Sequence, residues 1–324
     1  MKVLAFGELM MRLEVPDNKL IHQVNSFNYL FTGTGLNVLA GLSNFGIETR
    51  MFTMLPVNNL ADAAIKSIKS YGIETDYIER NGHHIGSYIL EKGIGYRPSE
   101  ITYQDRSVSS FNTHLLSKEV IKNALKDISH IHICGIALST SDVSLNNIVN
   151  IIHQAHSLGI KIIFDCNYRP NLTSGKDLLD EYRMILSKAD IVLGSKHDVI
   201  SLLGYESTDD MESLFKTFMN DFKIDIFAGT HKDSTNYKGF LVKDNTYYTS
   251  KSYDIKQVLD PIGTGDGFAA RLIAGILNQE DNKILVNKAA ISGVLAHTLY
   301  GDVVSVTEDM IDHILEKEET RIRR

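Results

Sequence analysis

Cysteine, proline and long uninterrupted apolar runs are all scarce in this 324-residue sequence. The only cysteines, Cys134 and Cys166, are far apart and form no CxxC pair. That excludes a disulfide framework or a structural zinc site, fits a reducing compartment, and leaves two small buried apolar residues. Five prolines, with no low-complexity tract or repeat, leave no Pro-rich linker between separate units. The amino-terminal run MKVLAFGELMMRLEV is broken by Glu8 and Arg12, too short and too charged for a leader or a membrane span, so a cytoplasmic protein is expected. There is no basic excess either. A formal charge of −7 argues against nucleic acid as a partner, and an anionic substrate would need specific arginines to hold it.

Motifs are missing too. No GxxxxGK[ST] occurs, which argues against a P-loop nucleotidase, and the 12 histidines form no HExxH or other ligand spacing. His132 and His297 lie in apolar runs and read as core residues. GTGLNVLAG mimics a dinucleotide fingerprint but starts well after the first strand and lacks the third glycine.

With 43% hydrophobic and 23% charged residues the composition is that of an ordinary globular domain. Short apolar runs (KVLAFGE, IHICGIAL, KIIFDCNY, DIVLGS, IDIFAGT) alternate with helix-period segments, the pattern of βα units around a mostly parallel sheet covered on both faces. The rhythm breaks at residues 13–32 and 85–106, where HQVNSFNYLF, GSYILEKG and EITYQD alternate at period two. Such stretches predict a small antiparallel sheet, either a lid over the site or an edge extension of the body. The body then comprises 1–12, 33–84 and 107–324.

VLDPIGTGDGFAARLIAGIL, residues 258–277, carries the chemistry. Pro261 and three glycines within five positions end a strand, and from Phe268 the pattern is helical, with Phe268, Leu272, Ile273 and Ile276 on one face. A glycine loop entering a helix lets the amides of Gly263, Thr264, Gly265 and Asp266 converge on an anion, helped by the helix dipole. Asp266 would repel a phosphate at that mouth. It suits a general base that takes the proton of a hydroxyl attacking a terminal phosphoryl group; its other reading is a helix cap.

DPIGTGDGFAA resembles the carboxy-terminal signature of the ribokinase-like (PfkB) carbohydrate kinases, with Thr264 where that family usually has alanine. FTGTGLNVLAGLSNFG is similar to its amino-terminal motif, in which two glycines precede an Asn on the helix facing the sugar; Gly33 and Asn37 match and are implied on the substrate, with Thr32 in the place of the first glycine. LPVNNLADAA at 55–64 is similar to the segment after the family's second strand. The resemblance implies a ribokinase-like doubly wound sheet flanked by helices with a β lid, MgATP as cofactor, Asp266 as base and the Gly263–Asp266 amides as anion hole.

Within the family the chain most resembles 2-keto-3-deoxygluconate kinases. GSYILEKGIGYRPSEITY is similar to their lid and puts Tyr88 and Tyr103 on the substrate. FDCNYRP is similar to their DxNxR motif and puts Arg169 on the substrate carboxylate; a surface ion pair is the alternative. A guanidinium fork reads a carboxylate as no neutral hexose can. Arg12 points the same way, standing where many neutral-sugar kinases of the family carry aspartate. Arg106 falls three residues beyond Tyr103 rather than two, which needs a bulge to keep it on the lid's inner face. Asp302, in a Gly301-Asp302 pair, matches a substrate-binding aspartate.

On the nucleotide side, SKHD (195–198) stands in the place of the family's NxxE, leaving Ser195 near ATP and Asp198 as an indirect Mg²⁺ ligand. AGTHKDSTNYKG keeps Gly229 of a Gly-x-x-Gly loop. The implied reaction is ATP-dependent phosphorylation of the primary hydroxyl of a sugar acid, with homo-oligomers forming through the lid. The alternatives are a kinase for a neutral sugar or nucleoside, and a non-catalytic sugar-acid-binding homologue.

Overall fold

The computed structural model describes residues 1–168, 178–232, 235–255 and 258–317. In chain order the strands and helices are β1 (Lys2–Phe6), β2 (Met10–Glu14), β3 (Asn28–Thr32), α1 (Thr34–Asn44), β4 (Glu48–Phe52), β5 (Met54–Leu55), α2 (Asn59–Ser70), β6 (Glu79–Arg80), β7 (Gly86–Glu91) and β8 (Glu100–Gln104). There follow α3 (Ser110–Thr113), α4 (Lys118–Ala124), β9 (His130–Cys134), α5 (Asp142–Ser157), β10 (Lys161–Asp165), α6 (Leu179–Leu186), β11 (Ile191–Leu193), α7 (Met211–Phe222) and β12 (Ile226–Lys232). The chain continues through β13 (Asn236–Lys243), β14 (Thr246–Thr249), β15 (Tyr253–Asp254), α8 (Thr264–Leu277), α9 (Asn282–Ala296) and α10 (Glu308–Lys317).

The large sheet runs β14-β13-β12-β11-β10-β9-β1-β4, with β15 against β13. Every pairing from β4 across to β12 is parallel, and the β12-β13-β14 edge is antiparallel. β1 is apolar at consecutive positions because both of its faces are covered. Leu4 and Phe6 pack with α5, α6 and α7, whereas Val3 and Ala5 pack with α1, α8 and α9. This is the doubly wound α/β body expected from the alternating pattern. No helix among the described residues is long and apolar enough to cross a membrane.

A second, four-stranded sheet has the order β3-β2-β7-β8. Its outer pairings, β2-β3 and β7-β8, are antiparallel, and its central pairing, β2-β7, is parallel. It starts at Met10, inside the 1–12 stretch that the sequence pattern assigned to the body, so the chain passes from one sheet to the other across Gly7-Glu8-Leu9. Of the period-two run HQVNSFNYLF (22–31), the second half forms β3 from Asn28, while residues 22–27 form no strand and a 3-10 turn spans Ile21–Gln23.

Candidate active site

The ends of the parallel strands open onto a cleft of about 880 Å³. Gly7 and Glu8 after β1, Cys134 of β9, Asp165 of β10 and Gly194 after β11 line its floor, the crevice where open α/β sheets bind ligands. The small sheet supplies one wall through Tyr88, Ile101 and Tyr103, and the first turn of α8 supplies the other.

That first turn is built by glycine. Gly263 caps α8 in the left-handed conformation (φ 81°), and a Cβ there would lie 2.4 Å from the carbonyl oxygen of Asp302. Gly267 N–H closes the first intrahelical bond on Gly263 C=O at 2.9 Å, so the earlier amides of the turn have no intrahelical acceptor. A Cβ on exposed Gly265 would meet nothing within 4 Å, so open space lies over the turn, as an anion hole requires. Asp266 is half-buried, and its Oδ2 accepts from Asn37 Nδ2 at 2.7 Å. Asn37 comes from the first turns of α1, directly after Gly33, where a Cβ would strike the Glu8 carbonyl oxygen at 2.2 Å. The sequence placed Asn37 on the substrate; here its amide holds the proposed base.

On the wall formed by the small sheet, Tyr88 and Tyr103 are cross-strand partners with ring centroids 6.0 Å apart. The register of Arg106 is resolved by Asp105, whose left-handed backbone (φ 51°) ends β8 and swings Arg106 back over the Tyr103 ring at 4.9 Å. Its Nε donates to Glu8 Oε2 at 2.7 Å, while Nη1 is buried with no partner among the described residues. Glu8 also accepts from Ser109 Oγ and Asn112 Nδ2.

Arg12 needs a correction. It is fully buried, absent from the cleft lining, and bonded to Glu14, Asp260 and Asp302, so it faces carboxylates of the protein rather than a substrate. Burial alone would lower its pKa, but the charges of Asp302 and Asp260 outweigh burial and raise it. Asp302 lines the cleft with both oxygens engaged: Oδ1 by Arg12, Oδ2 by Thr32 Oγ1 at 2.7 Å and by Tyr88 O–H at 2.8 Å. Burial, and then the Asp302 charge, pushes the Tyr88 phenol far up, so it keeps its proton.

Toward the nucleotide end, Ser195 and Asp198 form a closed turn in which Asp198 Oδ2 accepts from Ser195 N–H at 2.8 Å and Oγ at 2.6 Å. Both line the cleft. Gly229 is not in a loop: β12 runs through it to Lys232, paired with β13. A Cβ at Gly229 would sit 1.8 Å from the Gly194 carbonyl oxygen, which keeps this end of the cleft at main-chain height. Arg169 lies outside the described residues. Glu8 was not recognised from sequence as part of the site; its charge just after an apolar first strand was the available signal.

The pfkB family carbohydrate kinase model matches residues 1–309. A 2-dehydro-3-deoxygalactonokinase of Haloferax volcanii is 24% identical over 97% of this chain and 96% of its own length. Among solved structures, a candidate 2-keto-3-deoxygluconate kinase of Enterococcus faecalis matches with a TM-score of 0.93 and 33% identity, covering 100% of this chain and 99% of that one. A 2-dehydro-3-deoxygluconokinase of Thermotoga maritima matches at 0.91 and 28% identity, over 97% of this chain and 99% of its own. The family match across nearly its whole length shows that the chain belongs to the pfkB family of carbohydrate kinases.

Proposed function

We propose that the protein transfers the γ-phosphoryl group of ATP to the primary hydroxyl of a sugar acid, with 2-keto-3-deoxygluconate as the first substrate to test. The observation that carries this reading is Asp266, held by Asn37 in the same turn whose Gly265 opens onto the cleft. Asp266 takes the hydroxyl proton as the new O–P bond forms and the bond to the leaving ADP oxygen breaks. The amides of Gly263, Thr264, Gly265 and Asp266, with the helix dipole behind them, stabilise charge on the migrating group.

The sugar acid lies between this turn and the small sheet, which acts as a lid. Arg106 supports the acid specificity: its unpartnered Nη1 is a buried cationic donor beside Tyr103. Arg169, in the DxNxR-like segment FDCNYRP, is the other proposed carboxylate ligand. Tyr88 gives its proton to Asp302, so its remaining capacity toward a sugar is as an acceptor from a hydroxyl. Gly33 lets the chain pass close beneath the sugar.

ATP lies toward Ser195 and Gly229. Mg²⁺ keeps several waters and binds through one or two carboxylates plus phosphate oxygens. The donors present fit that habit: Asp165 and Asp198 line the cleft, and no cluster of three or more candidate ligands occurs among the described residues.

ADP release from a panel of sugars, sugar acids and nucleosides with MgATP tests the reading. Turnover is expected for a 2-keto-3-deoxy sugar acid; preference for a neutral sugar sinks the acid specificity, and no release at all sinks catalysis. Asp266→Asn should lower kcat by about 10² to 10⁴-fold with the sugar KM little changed.

A further inference from the structure

Thr32 stands where the family motif resembled by this chain has glycine, and its hydroxyl lies between two groups of the site. Thr32 Oγ1 is 2.7 Å from Asp302 Oδ2 and 3.2 Å from Asn37 Oδ1, and Asn37 Nδ2 in turn donates to Asp266 Oδ2 at 2.7 Å. At the far end the Arg12 guanidinium donates to Asp302 Oδ1. Thr32, Asn37 and Asp302 are all buried. Hydrogen-bonding groups thus line up from Arg12 on β2 through Asp302, Thr32 and Asn37 to Asp266, with the single Thr32 proton serving either Asp302 or Asn37.

We infer that Thr32 is a positioning residue for phosphoryl transfer, its hydroxyl fixing the Asn37 amide that holds the Asp266 carboxylate. This rests on Asp266 being the base. The two ends of an asparagine amide are nearly the same shape and differ only in donating or accepting. Reversed, the Asn37 oxygen would face a carboxylate oxygen at hydrogen-bond distance and repel it. The Thr32 proton offers the Asn37 oxygen its place at the other end, so the amide keeps its NH₂ toward Asp266. One hydroxyl has one proton, and Asp302 competes for it from the shorter distance. The hold on Asn37 therefore depends on Asp302 already being supplied by Arg12 and Tyr88. A glycine at 32 has no hydroxyl and could not form this link, and Gly33 beside it cannot take over because any Cβ there collides with the main chain of Glu8.

The test compares Thr32→Val, which keeps the branched shape and loses the hydroxyl, with Thr32→Ser, which keeps the hydroxyl. The acceptor is whichever member of the panel the wild type phosphorylates, so the result stands even if that acceptor is a neutral sugar. Thr32→Val should lower kcat by about tenfold or more with both KM values within about threefold, and Thr32→Ser should retain most of the wild-type kcat. In an Asn37→Ala background Thr32→Val should cost nothing further, because the link it removes is already gone. A Thr32→Val enzyme within about twofold of wild type in kcat, equal losses in the Val and Ser variants, or full additivity with Asn37→Ala each overturns the inference. Asp266→Asn is measured beside them. Full rate in that variant removes the base reading, whereas a fallen rate with an unaffected Thr32→Val removes only the link. A wild type that phosphorylates no acceptor overturns both.

Discussion

The body and the lid junction are held together by different physics. In the body, Val3, Leu4, Ala5 and Phe6 of β1 are almost wholly buried among other apolar side chains, and stability there follows area and shape. At the junction, Arg12, Glu14, Lys92, Asp260 and Asp302 are buried as charges, tied by Arg12 to Glu14, Asp260 and Asp302 and by Lys92 to Glu14 at 2.6 Å. An apolar core tolerates volume-conserving exchanges. A buried charge network does not tolerate the loss of a member, because each partner left behind is an uncompensated ion in a low-dielectric place. The teaching is positional: this cluster of buried charge sits where the small sheet and the 258–262 segment meet the site.

The largest effect should come from breaking that junction. Arg12→Met strands three carboxylates and should lower unfolding stability by about 3 to 5 kcal/mol, measured by denaturant titration. Arg12→Lys keeps the charge but cannot reach three partners with a planar fork, so it should lose less than Met yet stay below wild type. A Met variant as stable as wild type would mean that the network is energetically idle and the contrast with the body false.

His132 breaks the contrast from the other side, as a polar group inside the body. It is fully buried in β9, and neither ring nitrogen has a partner among the described residues. Burial lowers its pKa from 6.5 to about 4. The fold therefore holds the neutral ring. As pH falls below the unfolded value, the unfolded chain binds a proton that the native chain refuses, and stability is lost through the window down to about 4. Between pH 7 and pH 5 this one group should cost about 2 kcal/mol. His132→Leu should make the fall in unfolding free energy over that interval shallower by about that amount. Equal slopes in the two proteins would show that the ring is reached by water or paired when charged.

The sequence disclosed most where a feature is local. Strands such as KVLAF are legible because burial on both faces demands consecutive apolar residues, and GTGDG is legible because a tight left-handed entry at Gly263 admits no side chain. What failed was long-range. Arg12 read as a sign of an acidic substrate because its partners Asp260 and Asp302 lie 248 and 290 residues away, and nothing in the sequence around it names them. Arg106 was ambiguous by one residue until the backbone of Asp105 was known. The alternation at 22–27 had the period of a strand, but no neighbouring strand pairs with it, and alternation alone cannot supply one. Thr32 read as a mere substitution, since its meaning depends on Asn37 and Asp302 both lying within reach of one hydroxyl.

The smallest expected effect sharpens the comparison by isolating the setting of an ion pair from its charge. On the outer face of α7, Glu212 and Lys216 stand one turn apart at 2.6 Å, with the lysine side chain 26% and the glutamate 51% exposed. The order, acid toward the helix start, is the favourable one, yet such a pair contributes only about 0.3 to 0.5 kcal/mol, and alanine regains part of that through its higher helix propensity. Lys216→Ala should therefore move stability by no more than about 0.5 kcal/mol, and the difference should vanish in about 1 M salt, where screening acts within roughly 3 Å. The Arg12→Met deficit should persist in the same salt, because no counterion reaches a fully buried guanidinium enclosed by its carboxylate partners. If both deficits fade together, the junction is wetter than its burial implies, and the distinction between the two regions is one of degree rather than of kind.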